Sequence, residues 1–193
     1  MELEPKDGEN IEKQAMSSIN FPAFADGHEH AGCSPRRQPN LNKSWLSIER
    51  LVWGFGDGST LDAYKTNIGI LGSVICWENY MPMLRMTMYN QNVQLYCAPT
   101  ADDRKSWISS MKHIALEGRC FVLSACQLLL RKDCPNYYKP IQGNSPNTVL
   151  MNGGSCIISP LGELLAGPVR NKKTIITAKI DLDEITRGKY DFD

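Results

Sequence analysis

An alternation of apolar runs with helical or looping stretches begins near Leu46 and continues to the end of the chain. Short apolar runs with strand character, "IGILGSVIC", "VQLYCAP", "CFVLSACQ", "GSCIISP", "GELLAGP" and "TIITAKIDL", are separated by stretches with helical spacing or by loops, and a turn at "GFGDGS" leads them in. Strands that alternate with helices build layered α/β domains, and two short runs joined through "SPLGE" predict a hairpin. Two helices are expected. "MPMLRMTMYNQN" carries Pro82 where a first-turn proline is tolerated, with Leu84 and Met88 four apart on one face. In "DDRKSWISSMKHIALEG", Asp102 or Asp103 is the candidate N-cap, Trp107, Met111, Ile114 and Ala115 form the apolar stripe, and Gly118 is the expected stop. His113 lies beside that stripe and reads as a core or flanking histidine.

Residues 1–44 differ in kind. They are rich in Pro, Asn, Ser, Gly and charge and show no sustained period, which predicts a largely irregular segment ahead of a domain at 45–193. With 193 residues the chain is long enough for one domain with a sizeable core. Its 21 basic and 21 acidic residues cancel without forming a block, so neither nucleic acid nor an anionic membrane surface is an expected partner. No apolar run approaches the roughly 20 residues that span a bilayer, and "MELEPKDGENIEK" is unlike a secretory signal. A cytoplasmic location is the expectation.

The seven cysteines do not suggest a disulfide framework, because the count is odd and the chain is not small. Cys97, Cys120, Cys126 and Cys156 lie in apolar runs and read as reduced core residues. The one His/Cys cluster, "GHEHAGC" (His28, His30, Cys33), lacks a second ligand pair and reads as a solvated loop, so neither metal nor cofactor is expected. Cys76 differs by position. It closes the run "SVIC" and stands just ahead of a proline-initiated helix, as at an elbow that presents a nucleophile. From the residues alone, nucleophile and packing are equally open for it, since a reactive thiolate needs a base or cation that spacing does not reveal.

Taken in order, "ERLVWGFGDGST", "ICWENYMPMLRMTMY", "YCAPTADDRKSW", "MKHIALEGRCFVLSACQ" and "GGSCIISPLGELLAGP" resemble the nitrilase branch of the carbon-nitrogen hydrolase superfamily, from about Glu49 to Phe192. The resemblance implies an α/β fold, an incomplete α-β-β-α sandwich, in a family whose members assemble into dimers and larger spirals. It implies hydrolysis of a nitrile to a carboxylic acid and ammonia through a cysteine thioimidate, without a cofactor. The same apparatus on an amide would be an amidase, and the "CWEN" and "CAPTAD" strings favour the nitrile. By this likeness Cys76 is the nucleophile, Glu49 the second glutamate that orients substrate and water, and Trp77 the source of the oxyanion N–H. Pro99, Thr100 and Ala101 would line the substrate pocket, while Glu78 and Asn79 belong to the signature without an assigned role.

Two departures accompany these matches. The family lysine stands seven residues before the second glutamate, where this chain has Asn42; Lys43 follows one residue late and substitutes only if the loop is remodelled. The family's first glutamate has no counterpart in "FPAF", Phe21 to Phe24. The chain therefore reads as a form shortened at both ends. The expected partners are a small nitrile or amide substrate and further subunits, either copies of this chain or a full-length paralogue. The alternative is a catalytically impaired form that binds ligand or joins full-length subunits.

Overall fold

Parallel pairing among three short strands organises the residues that the computed structural model describes, 61–191. Strands β2 (Gly69–Ser73), β3 (Leu95–Cys97) and β4 (Phe121–Ser124) run side by side, Leu71 against Leu95 and Leu95 against Phe121. Parallel neighbours need crossover connections, and helices α1 (Pro82–Asn90) and α2 (Lys105–Gly118) supply them. An antiparallel strand β1 (Tyr64–Thr66) flanks β2. On the other side β4 pairs antiparallel with the C-terminal end of the long strand β6 (Val149–Ile158), and β5 (Leu128–Leu130) pairs with its N-terminal end. β7 (Leu164–Arg170) forms the expected hairpin with β6, closed where the Ser159 N–H donates to Glu163 O at 2.8 Å. The order is β1-β2-β3-β4-β6-β5, with β7 on β6.

Alternation along the strands divides the core between two faces. On one, Tyr96 of β3 meets Tyr89 of α1, and α2 buries Trp107, Met111, Ile114 and Ala115, the stripe that its spacing predicts. The Trp107 indole N–H donates to Ser124 Oγ at 2.8 Å, and Ser124 Oγ donates to Ala98 O at 2.9 Å, so the largest buried side chain leaves no orphan donor. On the other face Leu95 and Phe121 pack with Ile185 of helix α3 (Asp183–Tyr190), joined by Ile68, Leu71, Leu123, Ile180 and Leu182. Burying each such side chain is worth about 1.5–3 kcal/mol. Cys97, Cys120, Cys126 and Cys156 are buried and unpaired, as their apolar runs predict.

Three local expectations need correction, and the open alternative at His113 closes in favour of a flanking residue. Neither Asp102 nor Asp103 caps α2; its N-cap is Arg104, because both carboxylates are engaged elsewhere, Asp102 by Arg104 and Trp77 and Asp103 by the Asn152 N–H. Gly118 does not stop the helix either. Arg119 does so in the left-handed conformation (φ 45°), and Gly118 is needed because a Cβ there would stand 2.3 Å from the Tyr89 ring. His113 is exposed, 3.6 Å from Glu117 one turn on, which makes it a flanking histidine and not a core one. Finally, "TIITAKIDL" forms no strand: Ile180 and Leu182 fill the core by burial alone, without ladder bonds. The turn at "GFGDGS" lies outside the described residues.

Gly118→Ala should therefore destabilise the fold by about 1–3 kcal/mol, the usual cost of overpacking, despite alanine's better helix propensity. Urea unfolding followed by circular dichroism reads this as a lower midpoint at unchanged slope.

Candidate active site around Cys76

Beyond the last residues of β2 and β3 the chains keep their parallel register. Val74 N donates to Cys97 O at 3.1 Å and Cys76 N to Pro99 O at 2.7 Å. The neighbouring pair does likewise, with Ala98 N on Leu123 O and Thr100 N on Ala125 O, each at 2.9 Å. This brings Cys76 beside Thr100 at the C-terminal ends of the parallel strands, where open α/β sheets place their ligands. Cys76 itself takes φ 49°, a left-handed conformation that costs a residue other than glycine about 1–3 kcal/mol and recurs at functional sites. A short 3-10 helix, Cys76–Tyr80, follows at once and leads into α1 through Pro82.

The Thr100 hydroxyl donates to Cys76 Sγ at 3.3 Å. Its direction is set by a second bond, since the same oxygen accepts the Asp102 N–H at 2.9 Å. A half-buried sulfur with a fixed hydroxyl donor has the chemistry of a nucleophile that can attack an electrophilic carbon. Among the core thiols, burial pushes Cys97, Cys126 and Cys156 up to about 11 and Cys120 to about 12, which keeps them neutral and inert.

Trp77 is clamped from below. Its indole N–H donates to Asp102 Oδ2 at 3.3 Å, and the Arg104 guanidinium lies 5.4 Å from the ring centroid. Arg104 grips Asp102 through both carboxylate oxygens, Nε to Oδ1 at 2.7 Å and Nη2 to Oδ2. The Arg104 bond is the main reason that the Asp102 carboxyl sits below the usual range, and the backbone and indole N–H bonds act in the same direction. "CWEN" and "CAPTAD" are thus joined by two side-chain contacts, Thr100 to Cys76 and Asp102 to Trp77.

Glu78 and Asn79 support the turn. Glu78 Oε2 accepts the Ile75 N–H at 3.1 Å, closing the 3-10 helix from its side chain. Asn79 is buried, and its amide bonds to Val74 O, Cys76 O and the Tyr96 hydroxyl. Further out, Arg85 donates to Asn79 O at 2.8 Å and pairs with Glu117 of α2, Nε to Oε2 at 2.8 Å. The Tyr89 hydroxyl donates to the same carboxylate at 2.8 Å. Arg85 holds Glu117 below the usual carboxylate range, while burial and then Glu117 push the Tyr89 phenol up. Among the described residues no group of His, Cys, Asp and Glu could hold a metal ion. A separate open cleft of about 540 Å³, lined by Gln127, Leu128, Asp133, Ser155, Lys173 and Ile176 among others, includes no residue of either motif.

Of the residues singled out from the sequence, the structure brings Cys76, Trp77, Pro99 and Thr100 together, while Ala101 follows on the same loop and is exposed. Glu49 and Lys43, like His28, His30 and Cys33, lie outside the described residues. The sequence reading missed the Asn79–Tyr96 and Arg85–Glu117 contacts. One signal was present: Arg85 directly follows Leu84 on the face of α1 that turns inward.

The pattern of the carbon-nitrogen hydrolase family matches residues 37–190, and the chain belongs to that family. It is 62% identical over 145 residues to a nitrilase of Bradyrhizobium diazoefficiens, an alignment covering 75% of this chain and 45% of the relative. It is 59% identical over 145 residues to an aliphatic nitrilase of Sinorhizobium fredii, covering 75% of this chain and 47% of the relative. Against nitrilase 2 of Arabidopsis thaliana the identity is 52% over 152 residues, 76% of this chain and 45% of the relative. The chain thus spans about half the length of the relatives it matches. In structure it is similar to a carbon-nitrogen hydrolase from Helicobacter pylori, with TM-score 0.62 at 18% identity over 75% of this chain and 50% of the other. A superfamily protein from Xanthomonas campestris gives TM-score 0.59 at 14% identity, over 76% of this chain and 52% of the other. At these identities the likeness shows the α/β fold.

The lowered carboxyls of Asp102 and Glu117 predict an acid dependence. A depressed folded value contributes stability that is complete above the unfolded value of about 4 and is lost as pH falls through the folded value. Urea midpoints should accordingly fall between about pH 5 and pH 3, and fall less in the double variant Asp102→Asn/Glu117→Gln.

Proposed function

We propose that the chain carries the nucleophile side of a nitrilase-type site, with Cys76 as nucleophile. The observation that carries this reading is the Thr100 hydroxyl directed at Cys76 Sγ, 3.3 Å away, at an elbow with φ 49°. The identities of 52–62% to nitrilases support the substrate class. In the reaction a glutamate takes the thiol proton and Sγ adds to the nitrile carbon, giving a thioimidate. The Trp77 backbone N–H, the amide that follows the nucleophile, donates to the nitrogen as it gains charge. One water displaces ammonia and leaves a thioester; a second releases the carboxylic acid and restores the thiol. Glu49 orients substrate and water, Lys43 stands in for the family lysine, and Pro99, Thr100 and Ala101 border the substrate.

The domain that contains this site begins at about residue 45, works in the cytoplasm and assembles with other subunits, copies of itself or longer paralogues. Among the described residues no helix is long and apolar enough to cross a membrane. A second reading is favoured by the late position of Lys43 and by "FPAF" without its glutamate: a form of low activity that binds substrate or joins full-length subunits. Loss of one acid–base or oxyanion group commonly costs on the order of a hundredfold in rate, so lacking both would leave little turnover.

Ammonia release from aliphatic and aromatic nitriles by the purified chain, beside Cys76→Ala, tests both. Turnover that the substitution abolishes is the expected result. Turnover equal in the two proteins removes Cys76 from the reaction, and turnover in neither favours the second reading.

A further inference from the structure

We infer that Asn79 is the positioning residue of this site: its side chain bonds the backbone on both sides of the Cys76 elbow and so sets where the sulfur points. The inference rests on the reading of Cys76 as nucleophile. Asn79 Nδ2 donates to Val74 O and to Cys76 O, both at 2.8 Å. These carbonyls precede and follow the left-handed residue. Rotation about the Cys76 backbone carries one carbonyl away from the other, so a single nitrogen reaches both only while φ stays near 49°. Asn79 is 1% exposed, which leaves no water to replace a lost bond.

The clamp is itself anchored. The Tyr96 hydroxyl donates to Asn79 Oδ1 at 2.9 Å, and Tyr96 is fully buried on β3, in register with Gly72 of β2 and Val122 of β4. That acceptance fixes which end of the Asn79 amide is oxygen and points its two N–H donors at the elbow. From the other side Arg85 Nη1 donates to Asn79 O, and Arg85 is held by Glu117. Asparagine alone meets these demands at this reach: aspartate has no donor when ionised, serine and threonine have one, and glutamine is longer by a methylene. The fourth letter of "CWEN" thereby gains a role as the residue that keeps a nucleophile in a backbone conformation it would otherwise leave.

The test is iodoacetamide labelling of the full chain, with each cysteine quantified by peptide mass spectrometry. Cys134 is also half-buried and lies on another loop, so it serves as internal reference, and the buried Cys97, Cys120 and Cys156 report unfolding. In the unsubstituted chain Cys76 should label faster than Cys134. In Asn79→Ala the ratio of Cys76 to Cys134 should fall by about tenfold, the worth of one hydrogen bond to the sulfur, because an elbow freed from φ 49° turns Sγ off the Thr100 hydroxyl, with the buried cysteines still protected. Tyr96→Phe, which removes only the hydroxyl, should lower the ratio less. A loss of general stability would instead raise labelling of the buried cysteines and leave the ratio alone. An unchanged or increased ratio in folded Asn79→Ala overturns the inference. Should that variant expose its buried cysteines, folded Tyr96→Phe decides by the same ratio: a fall supports the clamp, and no change overturns it. Equal labelling of Cys76 and Cys134 in the unsubstituted chain is a separate outcome, which refutes the nucleophile reading and the inference with it.

Discussion

The bond from the Cys76 N–H to Pro99 O, 2.7 Å long, sets the geometry of the site. It continues the β2–β3 pairing after both strands have ended, and the Thr100 N–H does the same toward Ala125 beyond β4. Three parallel strands therefore hand their register to three loops. Because the register is inherited from the core, the separation of Cys76 and Thr100 is fixed by the packing of Leu95, Tyr96, Phe121 and Val122. Loops positioned by a rigid scaffold are where binding and catalysis concentrate, and here the scaffold reaches to within one residue of the sulfur.

That placement forces Cys76 into the left-handed region, and a set of polar groups offsets the cost. Asn79, Glu78, Tyr96 and the Arg85–Glu117 pair supply bonds on the inner side of the elbow, while Asp102 and Arg104 hold Trp77 on the outer side. Arg85 is itself a buried residue, and a charge so placed is tolerated only when paired and fully hydrogen-bonded. Its partners are Asn79 O and both oxygens of Glu117. An ion pair of this kind adds little net stability compared with apolar packing; what it adds here is a direct polar link between α1 and α2 beside the elbow.

Much of this was legible in the sequence because burial follows period. Alternating strands and helices gave the layers, the four-residue spacing of Leu84 and Met88 gave the inner face of α1, and "SPLGE" gave the hairpin. The failures share one physical cause, which is that a local pattern does not say where a side chain's competing partner is. Asp102 and Asp103 have good capping chemistry, yet Arg104, Trp77 and Asn152 claim their oxygens. Gly118 sits where a stop is expected, yet the packing of Tyr89 is what requires it. The alternation in "TIITAKIDL" reports that Ile180 and Leu182 pack, half-buried, against the core, and says nothing of a ladder partner. At the site, the place of Cys76 at a strand end was legible, whereas the contacts of Thr100 with Cys76 and of Asn79 with Tyr96 join residues 24 and 17 positions apart in the chain.

A substitution series at position 100 shows whether the Thr100 hydroxyl governs the reactivity of Cys76. The rate of iodoacetamide labelling at Cys76 would be compared in the unsubstituted chain, in Thr100→Val, which keeps the shape and loses the hydroxyl, and in Thr100→Ser, which keeps the hydroxyl. The reaction should be slower with valine and recover with serine. Equal rates in all three proteins would contradict this, because the sulfur would then be held by something other than the hydroxyl 3.3 Å away.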